Sequence, residues 1–271
     1  MSDSGELPTE STGFIDGFLR SPFSGIAPWI LMAVLSGPGR FEQAAAAALG
    51  LTLLVMWVGY RRGIRIHTLE VFGAAVFGVF AAFGIFARDE TIHWLELWSG
   101  ELTNAALAAF AIVTLLIRRP FTMAYARDTV APEYWNSPLF LRVNYVLTTV
   151  WAGAFLFSTV VGVFGDAVWH DGDNFWTGWI LQLAATFAAV AVTEFYPDYA
   201  RAKMLAKAGE PTEPPPSFAR LLDWLPAFVV GIGIAGWVTE ALPDAAGIAL
   251  IAVGVVAGAI MRRLFPNPAE T

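Results

Sequence analysis

The chain contains no cysteine, which excludes disulfides, thiolate nucleophiles and Cys-ligated zinc or iron–sulfur centres and leaves the redox compartment unread. Histidine occurs only at His67, His93 and His170. No two of them stand at helical ligand spacing and no HExxH occurs, so they read as interfacial or loop histidines. Lysine occurs only at Lys203 and Lys207, both near one membrane surface. A retinal Schiff base needs a mid-membrane lysine, so that class is excluded. There is no glycine-rich phosphate loop, GxSxG or acidic metal signature, and no cofactor is expected. Charge is scarce as well: 14% of residues are charged, against roughly 25% in a soluble domain. Such a chain cannot cover a water-facing surface, and its net charge of −7 argues against a nucleic-acid partner.

Apolar residues are abundant instead. They make up 56% of the chain, with 11 Trp and 21 Phe, and the mean hydropathy is +0.59. A membrane span needs about 20 mostly apolar residues. Eight stretches qualify, at 23–37, 42–60, 69–87, 97–117, 139–165, 176–196, 222–241 and 244–261. The first is short and contains Pro28, so it reads as a tilted, thinned or re-entrant segment. The expected fold is an all-α polytopic membrane bundle of about eight helices. With the N-terminus inside, 14 of the 16 basic residues fall on the cytoplasmic side, and only Arg40 and Arg88 fall outside. Both termini are then cytoplasmic. The outer loops Ala87–Gly100 and Gly165–Trp176 are acidic and aromatic. Trp94, Trp98, Trp169 and Trp176 suit an interfacial belt, while Asp166, Asp171 and Asp173 offer a weaker reading as a cation-collecting mouth.

Four regions follow. Residues 1–22 form a cytoplasmic tail whose acidic start (MSDSGELPTESTG) is unlike the basic opening of a signal peptide. Within it, Ser11–Phe23 suits an amphipathic helix with Phe14, Ile15, Phe18 and Leu19 towards the membrane. Residues 23–207 form a six-helix core, 208–217 a Pro-rich linker, and 218–271 a terminal helix pair with its tail. The fourth and sixth spans end alike, each with a proline (Pro120, Pro197) followed by Tyr-Ala-Arg. That suggests a weak parallel repeat, or simply proline ending two helices above inside-facing arginines.

The order of features over roughly residues 18–201 resembles the intracellular septation protein A family of bacterial inner-membrane proteins. The matching pieces are the short first span, the basic hairpin Tyr60–Arg65, the outer turn Asp89–Trp94 and Arg118-Arg119-Pro120 closing the fourth span. A loop with Pro132 and Trp135 and the Leu141–Asn144 opening of the fifth span complete the set. The terminal helix pair and the fuller RRPFTMAYARDTVAPEYW loop depart from that pattern. The resemblance implies a role in cell-envelope maintenance, with contacts to division and elongation proteins and no established enzymatic mechanism.

Among ionisable groups inside spans, Glu101 and Glu194 stand out, because isolated charge in hydrocarbon is disfavoured by several kcal/mol. Glu194 is expected to pair with Arg142, Arg118 or Arg201. A polar seam is more informative. Gln182, Thr186, Ala189 and Thr193 share one face of the sixth span. Asn144, Thr148, Ala152, Phe155 and Thr159 do so on the fifth, and Glu101, Asn104, Ala105 and Ala108 on the fourth. Small polar faces pack as interhelical glue; alternatively they line a narrow cavity for a solute or lipid, with Asn104, Gln182 and Glu194 as its contacts. Gly254 and Gly258 form a GxxxG that either packs within the chain or joins a homodimer. The segment bearing Arg118, Arg119, Phe121, Tyr125, Arg127 and Trp135 sets basic residues beside aromatics, which suits anionic headgroups or a protein partner.

Three functions are open: a non-enzymatic envelope protein acting through lipid or protein contacts, a small transporter or channel using the seam, and a lipid-modifying enzyme. The last would have to draw on Asp128, Glu133, Asp198 and His67, which form no known motif.

Overall fold

A computed structural model describes residues 13–37, 39–169 and 174–264. Among them every regular element is helical. The α-helices are α1 (Phe14–Arg20), α2 (Pro22–Leu35), α3 (Phe41–Arg61), α4 (Thr68–Phe86) and α5 (Asp89–Leu116). They continue with α6 (Thr122–Thr129), α7 (Pro138–Phe164), α8 (Leu181–Ala208), α9 (Leu225–Val238) and α10 (Asp244–Leu264). Wider π-helical turns prolong the end of α7 and the start of α8, and a 3₁₀ turn, Phe218–Leu222, precedes α9. Seven helical stretches are long and apolar enough to cross a membrane, and Phe23–Leu35 is a shorter apolar helix. Only 11% to 39% of each spanning window is buried within the protein. Large residues such as Trp57, Phe83, Val160 and Val256 therefore face outward, which fits lipid as the surrounding solvent. The chain is a multi-pass membrane protein.

The chain divides into two compact units, residues 1–96 with 124–131, and residues 97–123 with 132–271. In the first, α2, α3 and α4 pack together. Ala44, Ala45 and Ala48 are fully buried and let α3 approach closely. Trp29 lies 4.6 Å from Phe77 and 5.8 Å from Phe72, ring centre to ring centre. In the second unit, α7 packs along α8 and α9 along α10. Phe187 of α8 stacks on Trp224 at 5.7 Å and meets Phe228 at 5.4 Å.

Several local expectations change. The acidic stretch from Asp89 is the opening of α5, not a loop. Asp89 and Glu90 favour the positive helix N-terminus, and Ile92 and Leu95, three residues apart, are buried. Helix α8 runs through Pro197 to Ala208, where Gly209 at φ 74° ends it. The chain leaves α5 before Pro120, so the two like-sounding span ends fold differently. In α1, Leu19 packs on Val55 and Ile64, with Phe18 beside them, so this face meets protein and not membrane. The side chains of Phe14, Ile15 and Trp169 lie outside the described set, as do His170, Asp171 and Asp173.

The glycines of α10 are used within the chain. Gly254 is buried against Val230 and Pro226 of α9, and Gly258 faces Pro226. The GxxxG that suggested a homodimer is therefore occupied by the helix pair itself. A Cβ on Gly254 would stand 2.6 Å from Val230 Cγ2 and 2.7 Å from the Pro226 carbonyl oxygen. That oxygen belongs to backbone and cannot swing away. Gly254→Ala is expected to destabilise the protein by about 1–3 kcal/mol. Gly231→Ala has open space within 4 Å and should be neutral or stabilising by up to roughly 1 kcal/mol. Thermal unfolding of the two variants in detergent, read side by side, checks this.

Candidate functional site

The most concentrated polar cluster lies in the first unit, around His67, with Tyr125 and Asp128 brought to it. After α3, Gly63 adopts φ 69° and turns the chain towards α4. Glu70, in the first turn of α4, folds its carboxylate back so that Oε2 accepts from the His67 backbone N–H at 3.1 Å. This meets one donor that a helix N-terminus leaves without a partner. Glu70 Oε1 lies 3.3 Å from His67 Nδ1, and Asp128 Oδ2 of α6 lies 2.7 Å from Nε2. Tyr125, one turn before Asp128, stacks on the imidazole at 4.1 Å and 20°. Ser24 of α2 donates to its own helix and also lies 3.4 Å from Glu70 Oε1.

His67 is 3% exposed and Glu70 5%. Each ring nitrogen faces a carboxylate, and only the doubly protonated imidazolium donates from both. Burial, the largest single influence, pulls the His67 pKa down; the bonds to Glu70 and Asp128 and their negative charge outweigh it. The net effect raises the pKa above its ordinary 6.5. Burial, with the same two carboxylates, pushes the Tyr125 phenol up as well, so it stays protonated. Gly25 leaves room for that hydroxyl, which a Cβ would overlap.

The arrangement is a clasp holding the α6 residues of this unit to the start of α4. Of the four residues considered for acid–base work, His67 and Asp128 meet, whereas Glu133 and Asp198 are exposed in the second unit. Among the described residues no group of three or more His, Asp or Glu could hold a metal ion. His93 is exposed beside Glu96.

The seam lies in the second unit, and most of it is joined directly. Asn104 Nδ2 donates to Gln182 Oε1 at 3.0 Å, linking α5 to α8. Trp151 of α7 donates to Thr193 Oγ1 of α8 at 3.1 Å. Thr148 and Asn144 are buried, and both meet Thr122: its hydroxyl lies 2.9 Å from Thr148 Oγ1 and 3.0 Å from the Asn144 carbonyl oxygen. Thr186 bonds back to the Gln182 carbonyl oxygen of its own helix. Glu101 sits over Gly162 of α7, where a Cβ would displace it, and its carboxyl hydrogen-bonds Asp166.

Glu194 is not part of the seam. It is exposed, and it lines a small cavity with Arg220, Asp223 and Trp224, none of them the arginines expected as partners. One position after Thr193, it is rotated about 100° away from the seam face. The basic aromatic segment also changes character. Phe121 and Tyr125 are each 3% exposed, packed on Phe110 and His67 respectively, and cannot anchor in headgroups. Arg118, Arg119 and Arg127 are exposed, and Trp135 is half-buried.

Sequence reading missed Glu70, Thr122, Trp151 and Ser24. A signal existed for Glu70: a carboxylate three residues into a helix is a known N-terminal pattern. No family model, curated protein or solved structure matches the chain.

A raised histidine pKa stabilises the folded state fully below the unfolded value, and the gain is lost as pH rises through the folded value. The thermal midpoint in detergent should therefore fall as pH is raised through and above 6.5. His67→Gln, which carries no titrating cation, should flatten that part of the profile. Parallel profiles for the two proteins would remove the clasp.

Proposed function

We propose that this protein resides in a bacterial cytoplasmic membrane with both termini inside. There it serves as a non-catalytic organiser of the envelope, acting through contacts with lipids or with division and elongation proteins. The positive-inside asymmetry of its 16 basic residues supports the location. The resemblance of residues 18–201 to the septation protein A family supports the role.

The observation that carries this reading is the direct pairing of polar groups inside the spans. Asn104 bonds Gln182 and Trp151 bonds Thr193 with nothing between. Groups committed to each other act as interhelical glue and do not present themselves to a passing solute. The small cavity beside Glu194 is lined by other residues than Asn104 and Gln182. An enzyme reading has little to draw on, because His67 is enclosed. Arg118 and Arg119, by contrast, stand exposed where α5 ends, Arg118 in the left-handed conformation at φ 58°. Guanidinium groups there attract anionic headgroups or acidic protein surfaces, each contributing about 1 kcal/mol near a charged leaflet.

The experiment is gentle extraction from native membrane, followed by identification of the lipids and proteins that accompany the chain. Wild type should carry a reproducible anionic-lipid or division-protein companion. Arg118→Glu with Arg119→Glu should deplete it by about tenfold or more, with the thermal midpoint little changed. The absence of any reproducible companion would overturn the proposal.

A further inference from the structure

Far along the chain, the second unit contains a groove of about 1740 Å³. Its walls are the end of α8, the Pro-rich stretch after Gly209, and the facing ends of α9 and α10. Three guanidiniums line it, from Arg201, Arg220 and Arg262, together with three carboxylates, from Asp198, Glu213 and Asp223. All six residues are exposed. Among the described residues no ion pair joins any of them to a partner. Apart from Thr212 and Ser217 the rest of the lining is apolar, with Ala227 and Val230 from α9 and Val255 and Met261 from α10.

These features belong together chemically. Helices α9 and α10 are apolar membrane spans, so the groove continues along a surface that acyl chains already cover. Its charged part lies where the spans end. Pro211, Pro214 and Pro216 form part of the lining, and a proline-rich segment holds an extended lip without needing internal hydrogen bonds. An apolar trough with a charged mouth fits an amphiphile.

The charges narrow the class further. Guanidinium recognises phosphate by paired hydrogen bonds, and a carboxylate recognises an ammonium. Equal numbers of both signs complement a headgroup carrying both, whereas a purely anionic head would meet three carboxylates as well as three arginines.

We infer that this groove binds a zwitterionic glycerophospholipid of the phosphoethanolamine type. Its phosphate meets the arginines, its ammonium the carboxylates, and an acyl chain lies against α9 and α10. The site is separate from Arg118 and Arg119, so it stands or falls independently of the proposed envelope role.

The test uses the full chain, stripped of lipid by washing in detergent and then offered phosphatidylethanolamine or phosphatidylglycerol, with bound lipid counted by native mass spectrometry. The lipid that wild type retains and Ala227→Trp loses should be phosphatidylethanolamine in clear preference. Arg201→Gln, Arg220→Gln and Arg262→Gln together should reduce retention by about tenfold. Asp198→Asn with Asp223→Asn should erase the preference between the two lipids. Ala227→Trp fills the trough without touching a charge and should block retention of phosphatidylethanolamine. If the triple variant does not fold, Arg220→Gln alone and Ala227→Trp carry the test. Equal retention by wild type and Ala227→Trp, or phosphatidylglycerol as the lipid that Ala227→Trp displaces, would overturn the inference.

Discussion

Hydrocarbon offers no hydrogen bonds, and the placement of polar groups in this protein follows from that constraint. Every span forms a helix because only a helix satisfies its own backbone within one segment. Most side chains that still carry hydrogen-bonding atoms then turn to one another or to a backbone carbonyl, while Trp29 Nε1, Thr103 Oγ1 and the Tyr125 hydroxyl are buried without such a partner. Thr52, Thr114, Thr159 and Thr193 bond back to carbonyls of their own helices. Asn104, Gln182, Trp151 and Thr122 reach across to a neighbour. With no hydrophobic drive between helices in lipid, close approach does the remaining work. Gly233, Gly247 and Gly254 bring α9 and α10 so near that a methyl group on any of them would crowd the partner helix.

The same constraint explains why charge occurs inside the first unit only as a set. A lone imidazolium at the start of α4 would be poorly solvated, and so would a lone Glu70 or Asp128. Together each supplies the counter-charge and hydrogen bonds that the others lack. A buried ion set is a weak source of net stability but a strong constraint on geometry, because removal of one member strands the rest. The stacked ring of Tyr125 covers the imidazole, and Gly25, which has no side chain, leaves room for its hydroxyl.

This also marks the limit of what sequence could disclose. The spans were legible because hydropathy over 20 residues needs no tertiary information. Boundaries were less so. The acidic opening of α5 resembles a loop by composition, yet Ile92 and Leu95 bind it to the core, and α8 accommodates Pro197 inside its length. The seam was half legible: helical periodicity put Asn104 and Gln182 on faces that meet. The same periodicity should have set Glu194 apart from Thr193, since neighbours in a helix point in different directions. His67 does precede α4 as a loop residue, but its spacing to other histidines says nothing of its carboxylate partners. Glu70 stood three residues away in the pattern of a helix start, but Asp128 lies 61 residues further on, and no local pattern announces a partner at that distance.

The contrast between His67 and the arginines of the groove shows what decides whether a charge must be paired. The His67 ring is enclosed, so protein carboxylates supply what water would otherwise supply. Arg201, Arg220 and Arg262 stand at the ends of helices and remain exposed, where water or a headgroup can perform that service. In the interior, a guanidinium without a carboxylate would be strongly destabilising; at the mouth of a groove it is tolerated, and its hydrogen-bonding capacity stays unspent. Binding capacity in a membrane protein of this kind therefore concentrates where spans meet the polar boundary. Interior polar groups such as Asn104, Gln182 and Thr193, however conspicuous in the sequence, are already committed to holding the helices together.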